Sequence, residues 1–184
     1  MLRIILVVIL TFTTFVVSAK KHHHIGSVYK EVKAAKVISI INNHFYDDIF
    51  RRKNNSRVLK ALCGIESNLR TNVTSSAGAK GICQFRPSTW KQVTRRRMIK
   101  TPSPNESISA ANILLISLKE KYNGDIRKAL AAYNLGETGL HKRSKRCGGN
   151  PNTISYKQIY NCLPSETQMY VLNVTKVANS ITDL

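Results

Sequence analysis

Acidic residues are scarce in this chain: 10 Asp and Glu stand against 29 Lys and Arg, giving a formal charge of +19 over 184 residues. A balance this far from neutral predicts attraction to a polyanion. Nucleic acid, anionic membranes and bacterial wall polymers all qualify, so charge alone does not choose. Aromatic residues are also few, at 7% with one Trp. That is thin material for the stacked aromatic platform of single-stranded nucleic-acid binders, and no specific nucleic-acid partner is expected. The four cysteines include no Cys-x-x-Cys pair, which argues against a zinc site. No metal and no cofactor are expected, and His22, His23 and His24 read as part of a solvated tail.

The chain has one long apolar run, Ile4 to Val17, preceded by Arg3 and followed by Ser18-Ala19-Lys20. It is shorter than the roughly 20 residues a membrane span needs. A positive start, an apolar stretch and small residues before a lysine pair read as a secretory signal peptide over residues 1–19. Residues 20–27 form a polar, poorly ordered segment, and 28–184 are long enough for one domain with its own core. The expected localisation is extracytoplasmic, in the periplasm or outside the cell, with no transmembrane span left after cleavage. Export makes the cysteines disulfide candidates. Three connectivities are open. Pairing Cys147 with Cys162 closes a loop rich in Gly, Asn and Pro, and would leave Cys63 with Cys83.

Apolar residues recur at helical spacing from Val28 to about Phe50, through Val32, Ala35, Ile38 and Ile41. Ser56 is placed to cap a second helix, 57–67, which carries Glu66 at its C-terminal end. Residues 72–85 have neither helical nor strand period and read as loop with a short hairpin. Helices then follow over 87–93, from an Asn105 cap, from an Asp125 cap to Gly136, and from Ser165 onward. Residues 137–162 read as a long polar, basic stretch. The fold class is α+β, mostly α.

Glu66 is the sole acidic residue between Asp48 and Glu106. Burial beside apolar surface is what keeps a glutamic acid protonated near neutral pH, as in lysozyme. An ordinary surface glutamate is the competing reading, and the neighbouring segments decide against it. Glu66-Ser67, Ser75, Gly78-Ala79 with Gly81 and Gln84, Ala132-Tyr133-Asn134 with Gly136, and Glu166-Thr167 with Tyr170-Val171 follow in order. This series resembles the soluble lytic transglycosylases, members of the lysozyme-like superfamily related to goose-type lysozymes. It departs from their pattern at Thr71, Ser76, Ile82-Cys83 and Leu135, none of which carries chemistry.

The resemblance implies a lysozyme-like fold with a small hairpin or loop region. It also implies cleavage of the MurNAc–GlcNAc bond of peptidoglycan with 1,6-anhydro-MurNAc formation, Glu66 serving as acid and then base. Ser75, Gln84, Tyr133, Asn134 and Glu166 would contact the sugar. Each also has a plain structural reading: a turn for Ser75, loop backbone for Gln84, core for Tyr133, a helix end for Asn134. Glu166 suits the first turn of a helix on dipole grounds alone. The basic clusters at 51–53, 95–97 and 141–146 fit stem-peptide carboxylates and anionic wall polymers as partners. Two rivals stand beside this reading: a hydrolytic, goose-type-like lysozyme, and a cationic wall-binding or antimicrobial protein without catalysis.

Overall fold

The computed structural model describes residues 34–41 and 46–182; the expected signal peptide and the 20–27 segment lie outside them. Residues 34–41 form helix α1. It is followed by α2 (Asp47–Arg51), α3 (Ser56–Ser67), α4 (Pro87–Thr94), α5 (Pro104–Lys121), α6 (Ile126–Leu135), α7 (Glu137–Arg146), α8 (Tyr156–Ile159), a 3-10 turn (Tyr160–Cys162) and α9 (Ser165–Asn179). Among the described residues no helix is long and apolar enough to cross a membrane.

The core is built around α3. Leu59, Ala61, Leu62, Cys63 and Ile65 are all buried, and a fully buried large side chain contributes about 1.5–3 kcal/mol. Helices α9, α5 and α2 pack against α3, while α6 lies against α5 and α9. Gly64 permits the approach of α1: a Cβ there would stand 2.8 Å from Ile41 Cδ1 and 2.9 Å from Val37 Cγ1. Lys60 also points inward. Its ammonium pairs with the buried Asp47 carboxylate and donates to the carbonyl of Ile41 at 2.8 Å, joining α1, α2 and α3 at one point.

Several sequence expectations are corrected. The buried face of α1 is Ala34, Val37 and Ile41, whereas Ala35 is exposed and Ile38 half-buried; Val28 and Val32 lie outside the described residues. The expected single helix to Phe50 does not reach it, because α2 is a separate element entered through Tyr46 at φ 64°. Helix α5 is capped by Ser103, not Asn105. The Ser103 hydroxyl accepts from the N–H of Glu106, whose carboxylate accepts from the Ser103 N–H in return, a full capping box. The expected polar stretch at 137–162 is mostly helical. Helix α7 hides from periodicity because Leu140 and Ser144 are its only buried residues.

In place of a hairpin, residues 74–85 make two isolated antiparallel bridges, Thr74 to Lys80 and Lys80 to Phe85, and no strand occurs among the described residues. The segment closes on itself too tightly for a ladder, with Gly78 and Gly81 at φ 77° and 79° and Gln84 at φ 50°. Both Cys63–Cys83 and Cys147–Cys162 are bonded.

Candidate functional site

Glu66 sits in the last turn of α3, half-buried, at the edge of a cleft of about 650 Å³. Three features fix its position. Helix α3 ends at Asn68 in the left-handed region, whose N–H returns to the Gly64 carbonyl at 2.8 Å. The next side chain, Ser67, donates its hydroxyl to the carbonyl of Ile82 at 2.7 Å. The Cys63–Cys83 bond then staples α3 to the same loop one residue further on. The carboxylate is thus held by a rigid helix end while the facing loop is anchored to that helix.

The cleft gathers Glu66, Ser75, Gln84, Tyr133, Asn134 and Glu166, six residues contributed by α3, the 74–85 loop, α6 and α9. Ser75 shapes the turn, since its Oγ accepts from the N–H of Ala79 at 3.0 Å, leaving its hydroxyl hydrogen to donate. Gln84 spends its amide hydrogens on the carbonyls of Gly81 (2.9 Å) and Val73 (3.2 Å), so what it can offer the cleft is a carbonyl oxygen. Tyr133 donates to the carbonyl of Cys83 at 2.9 Å and sets its ring edge-on to Phe85. The Asn134 side-chain oxygen accepts from the Thr167 hydroxyl at 2.9 Å, which orients its amide hydrogens. Glu166 is exposed in the first turn of α9. For Ser75 and Gln84, the plain structural role and the cleft-facing one coexist in different atoms of the same side chain.

One residue of the sequence motif that carried no assigned role belongs with this group. Tyr170, on α9, is buried, with its hydroxyl toward the Glu66 carboxylate. Burial pushes this phenol well above its ordinary range, helped by the charge of Glu66, by Tyr133 and by hydrogen bonding to the Glu66 carboxylate. Tyr133 is raised in the same sense, first by burial and then by Glu66. Two neutral phenols therefore stand near one carboxylate. Spacing alone could have suggested Tyr170, which lies one helical turn beyond Glu166 on the same face.

Four other carboxylates are engaged elsewhere. Asp47 pairs with Lys60, Glu106 caps α5, Asp125 caps α6 by accepting from the N–H groups of Arg127 and Lys128, and Glu137 pairs with Lys121. Glu166 is the second carboxylate lining the Glu66 cleft. Among the described residues, no cluster of three His, Cys, Asp or Glu is placed to hold a metal ion.

A helical domain with a glutamate in the last turn of α3, facing a loop-lined cleft, fits the lysozyme-like class, and solved structures carry the same fold. The soluble lytic transglycosylase SLT70 of Escherichia coli superposes with a TM-score of 0.58 at 24% identity, over 73% of this chain and 24% of that one. An inactive mutant of the lytic transglycosylase Slt of Pseudomonas aeruginosa gives 0.54 at 25% identity, over 67% and 20%. The peptidoglycan transglycosylase gp16 of Escherichia phage T7 is 30% identical over 145 residues, 73% of this chain and 10% of that protein. The transglycosylase SLT domain model matches residues 48–156, and the chain belongs to that family. It spans about a tenth of the phage relative and a quarter of SLT70.

Proposed function

We propose that this protein is an exported lytic transglycosylase that cuts the β-1,4 bond between N-acetylmuramic acid and N-acetylglucosamine in peptidoglycan without consuming water. One observation carries the reading. Glu66 occupies a rigid helix end in a cleft lined mostly by uncharged side chains, with Arg86 and Glu166 as its other charged members and two neutral phenols beside it. The family, the phage peptidoglycan transglycosylase and a solved relative inactivated by mutation support it.

In the first step Glu66 gives its proton to the glycosidic oxygen. The bond from that oxygen to C1 of the muramic acid breaks, and the acetamido oxygen of the same sugar bonds to C1. In the second step the Glu66 carboxylate takes the proton of the 6-hydroxyl, whose oxygen attacks C1 and displaces the acetamido group. The product is a 1,6-anhydro ring, and Glu66 is protonated again. Substrate assistance removes the need for a protein nucleophile. Ser75, Gln84, Tyr133, Asn134 and Glu166 position the sugar through the atoms left over from their structural bonds.

Hydrolysis is the second reading, favoured by the presence of Glu166 in the cleft. A carboxylate across from the acid is the arrangement that activates water in inverting glycosidases. Mass analysis of digested peptidoglycan decides. Terminal anhydromuramic acid supports the transglycosylase; reducing ends that have gained water overturn it. Glu66→Gln keeps the shape of the side chain and should lower the rate by at least about a hundredfold, the scale of general acid–base catalysis. Undiminished clearance by that variant would leave only a cationic wall-binding protein.

A further inference from the structure

Among the described residues, Ile99 is the most exposed large apolar side chain, at 87%. It stands in the loop between α4 and α5, within the run Arg95-Arg96-Arg97-Met98-Ile99-Lys100. Arg95, Arg96, Arg97 and Lys100 are exposed as well, so four cations flank it in the chain. A single exposed apolar residue is ordinary on its own. The company of those cations sets this one apart.

The loop holds Ile99 outward. Helix α4 ends at Arg95 in the left-handed region, and the Arg96 N–H then donates to the Thr94 hydroxyl at 3.2 Å. Met98 packs against the core and Pro102 is buried. Thr101 and Pro102 also back onto Gly81, where a Cβ would meet them at 3.6 and 3.7 Å. With its neighbours committed inward, Ile99 gains no burial from folding. The acidic neighbour of the loop is Glu106, which closes the capping box of α5, pairs with Arg96 at 3.5 Å and feels the charge of Lys100. Arg95 and Arg97 form no ion pair among the described residues.

We propose that the 95–100 loop seats the protein on an anionic phospholipid surface, with Ile99 entering the acyl boundary and Arg95, Arg97 and Lys100 meeting headgroup phosphates. Soluble phosphate polymers would satisfy the cations but offer nothing to an isoleucine, so the apolar side chain favours a bilayer. Each cation near an anionic bilayer strengthens binding about fivefold, and an apolar group sunk into the interface adds to this. Seating of this kind leaves the cleft open. Ser88 and Thr89, at the start of α4, line the Glu66 cleft, whereas the loop leaves from the other end of that helix, about 10 Å further on at 1.5 Å per residue. The surface is therefore separate from the sugar site, and the inference does not depend on the proposed reaction.

The experiment puts a reporter at position 99. Ile99→Trp adds an exposed indole, while the native Trp90 is buried edge-on to Phe85 and the parent supplies its background. The full chain is titrated with phosphatidylcholine vesicles and with vesicles containing phosphatidylglycerol, each also prepared with brominated acyl chains. A blue shift and bromine quenching should appear with phosphatidylglycerol, and neither with phosphatidylcholine alone. Because the reporter reads position 99, lipid binding by the apolar run from Ile4 to Val17 does not imitate this result. Adding Arg97→Gln/Lys100→Gln should raise the lipid concentration at half-shift about 25-fold. Unchanged thermal melting shows that variant to be folded; if it melts lower, the comparison of vesicle compositions decides by itself. Quenching on both vesicle types, quenching on neither, or an undiminished response in the folded glutamine variant overturns the proposal. So does a shift with soluble polyphosphate and no bromine quenching on vesicles, which would show that the loop reads phosphate alone.

Discussion

The hydroxyl of Tyr133 donates to the backbone carbonyl of Cys83 at 2.9 Å, a bond between residues 50 apart in sequence. It joins the end of α6 to the loop that Cys83 fastens to α3, so three segments lining the Glu66 cleft share one rigid connection. Gln84, the neighbour of Cys83, inherits its position from this bond.

Tyr133→Phe tests the connection. The ring contact with Phe85 survives, while the Cys83 carbonyl loses its donor. Leaving a buried acceptor unmet costs about 1–3 kcal/mol. For a chain of this size that is a fall in melting temperature of at least about 2–4 °C. Calorimetry reads the stability, and wall clearance should drop as well because Gln84 shifts with the loop.

Loss of the Cys63–Cys83 bond should be felt in both stability and activity. A closed loop of this length restricts the unfolded chain by about 3 kcal/mol. Cys63→Ala/Cys83→Ala should melt correspondingly lower. Its activity at a temperature where it remains folded should fall further than that of a variant lacking Cys147–Cys162, because only the former bond holds the Glu66 helix to its facing loop.

Lys60 and Asp47 form a buried ion pair, so removing Lys60 takes a counter-charge from the buried Asp47 carboxylate. Lys60→Met should cost about 3–5 kcal/mol, whereas Lys60→Met/Asp47→Leu should recover much of that loss. Urea unfolding of the two variants beside the parent measures the difference. A double variant no more stable than the single one would disprove the account.

High pH should destabilise the fold through buried phenols. Tyr122 is pushed up to about 12 by burial and by the charge of Glu137, and Tyr156 to about 12 by burial first and then by Tyr160. A phenol raised in the folded state adds stability that is intact below its unfolded value of about 10 and is lost as pH climbs through the folded value. Melting temperature should be level up to about pH 10 and fall between 10 and 12, with Tyr122→Phe reducing the slope. Tyr133 and Tyr170 extend the same trend to higher pH.

Tyr170→Phe separates activity from stability. Its hydroxyl is buried without a well-placed partner other than the Glu66 carboxylate it faces. Removing it should leave the melting temperature unchanged or slightly raised, yet slow cleavage about tenfold, an effect of about 1.4 kcal/mol on the barrier. A variant as active as the parent would show that this phenol only fills space.

Local chemistry made much of the molecule readable from residues alone. The Asp125 cap, the Pro87 start and the Gly136 stop of their helices follow from side-chain and backbone preferences that act within a turn or two. The family resemblance carried by the motifs around Glu66, Ser75, Gln84, Tyr133 and Asn134 named these residues as candidates, and the structure lines one cleft with them. Helix α7 was not legible, because its stability comes from packing a single leucine and from neighbours distant in sequence. Residues 72–85 read as loop with a short hairpin, and the structure shows loop with two isolated bridges instead, for a related reason. Its course is set by Ser67, Cys63 and Tyr133, which reach it from two helices.

What the sequence determined by itself is which groups are present and which are rare: one isolated glutamate between Asp48 and Glu106, a large positive charge, four cysteines. What only the tertiary structure decided is how those groups are shared out. It committed Asp47, Glu106, Asp125 and Glu137 to structural bonds, left Glu66 in a cleft beside two neutral phenols, and turned Ile99 outward among exposed cations. The physical reason is range. Caps and turns are fixed by neighbours in the chain, whereas charge pairing and cavity walls depend on segments that meet only when the core closes.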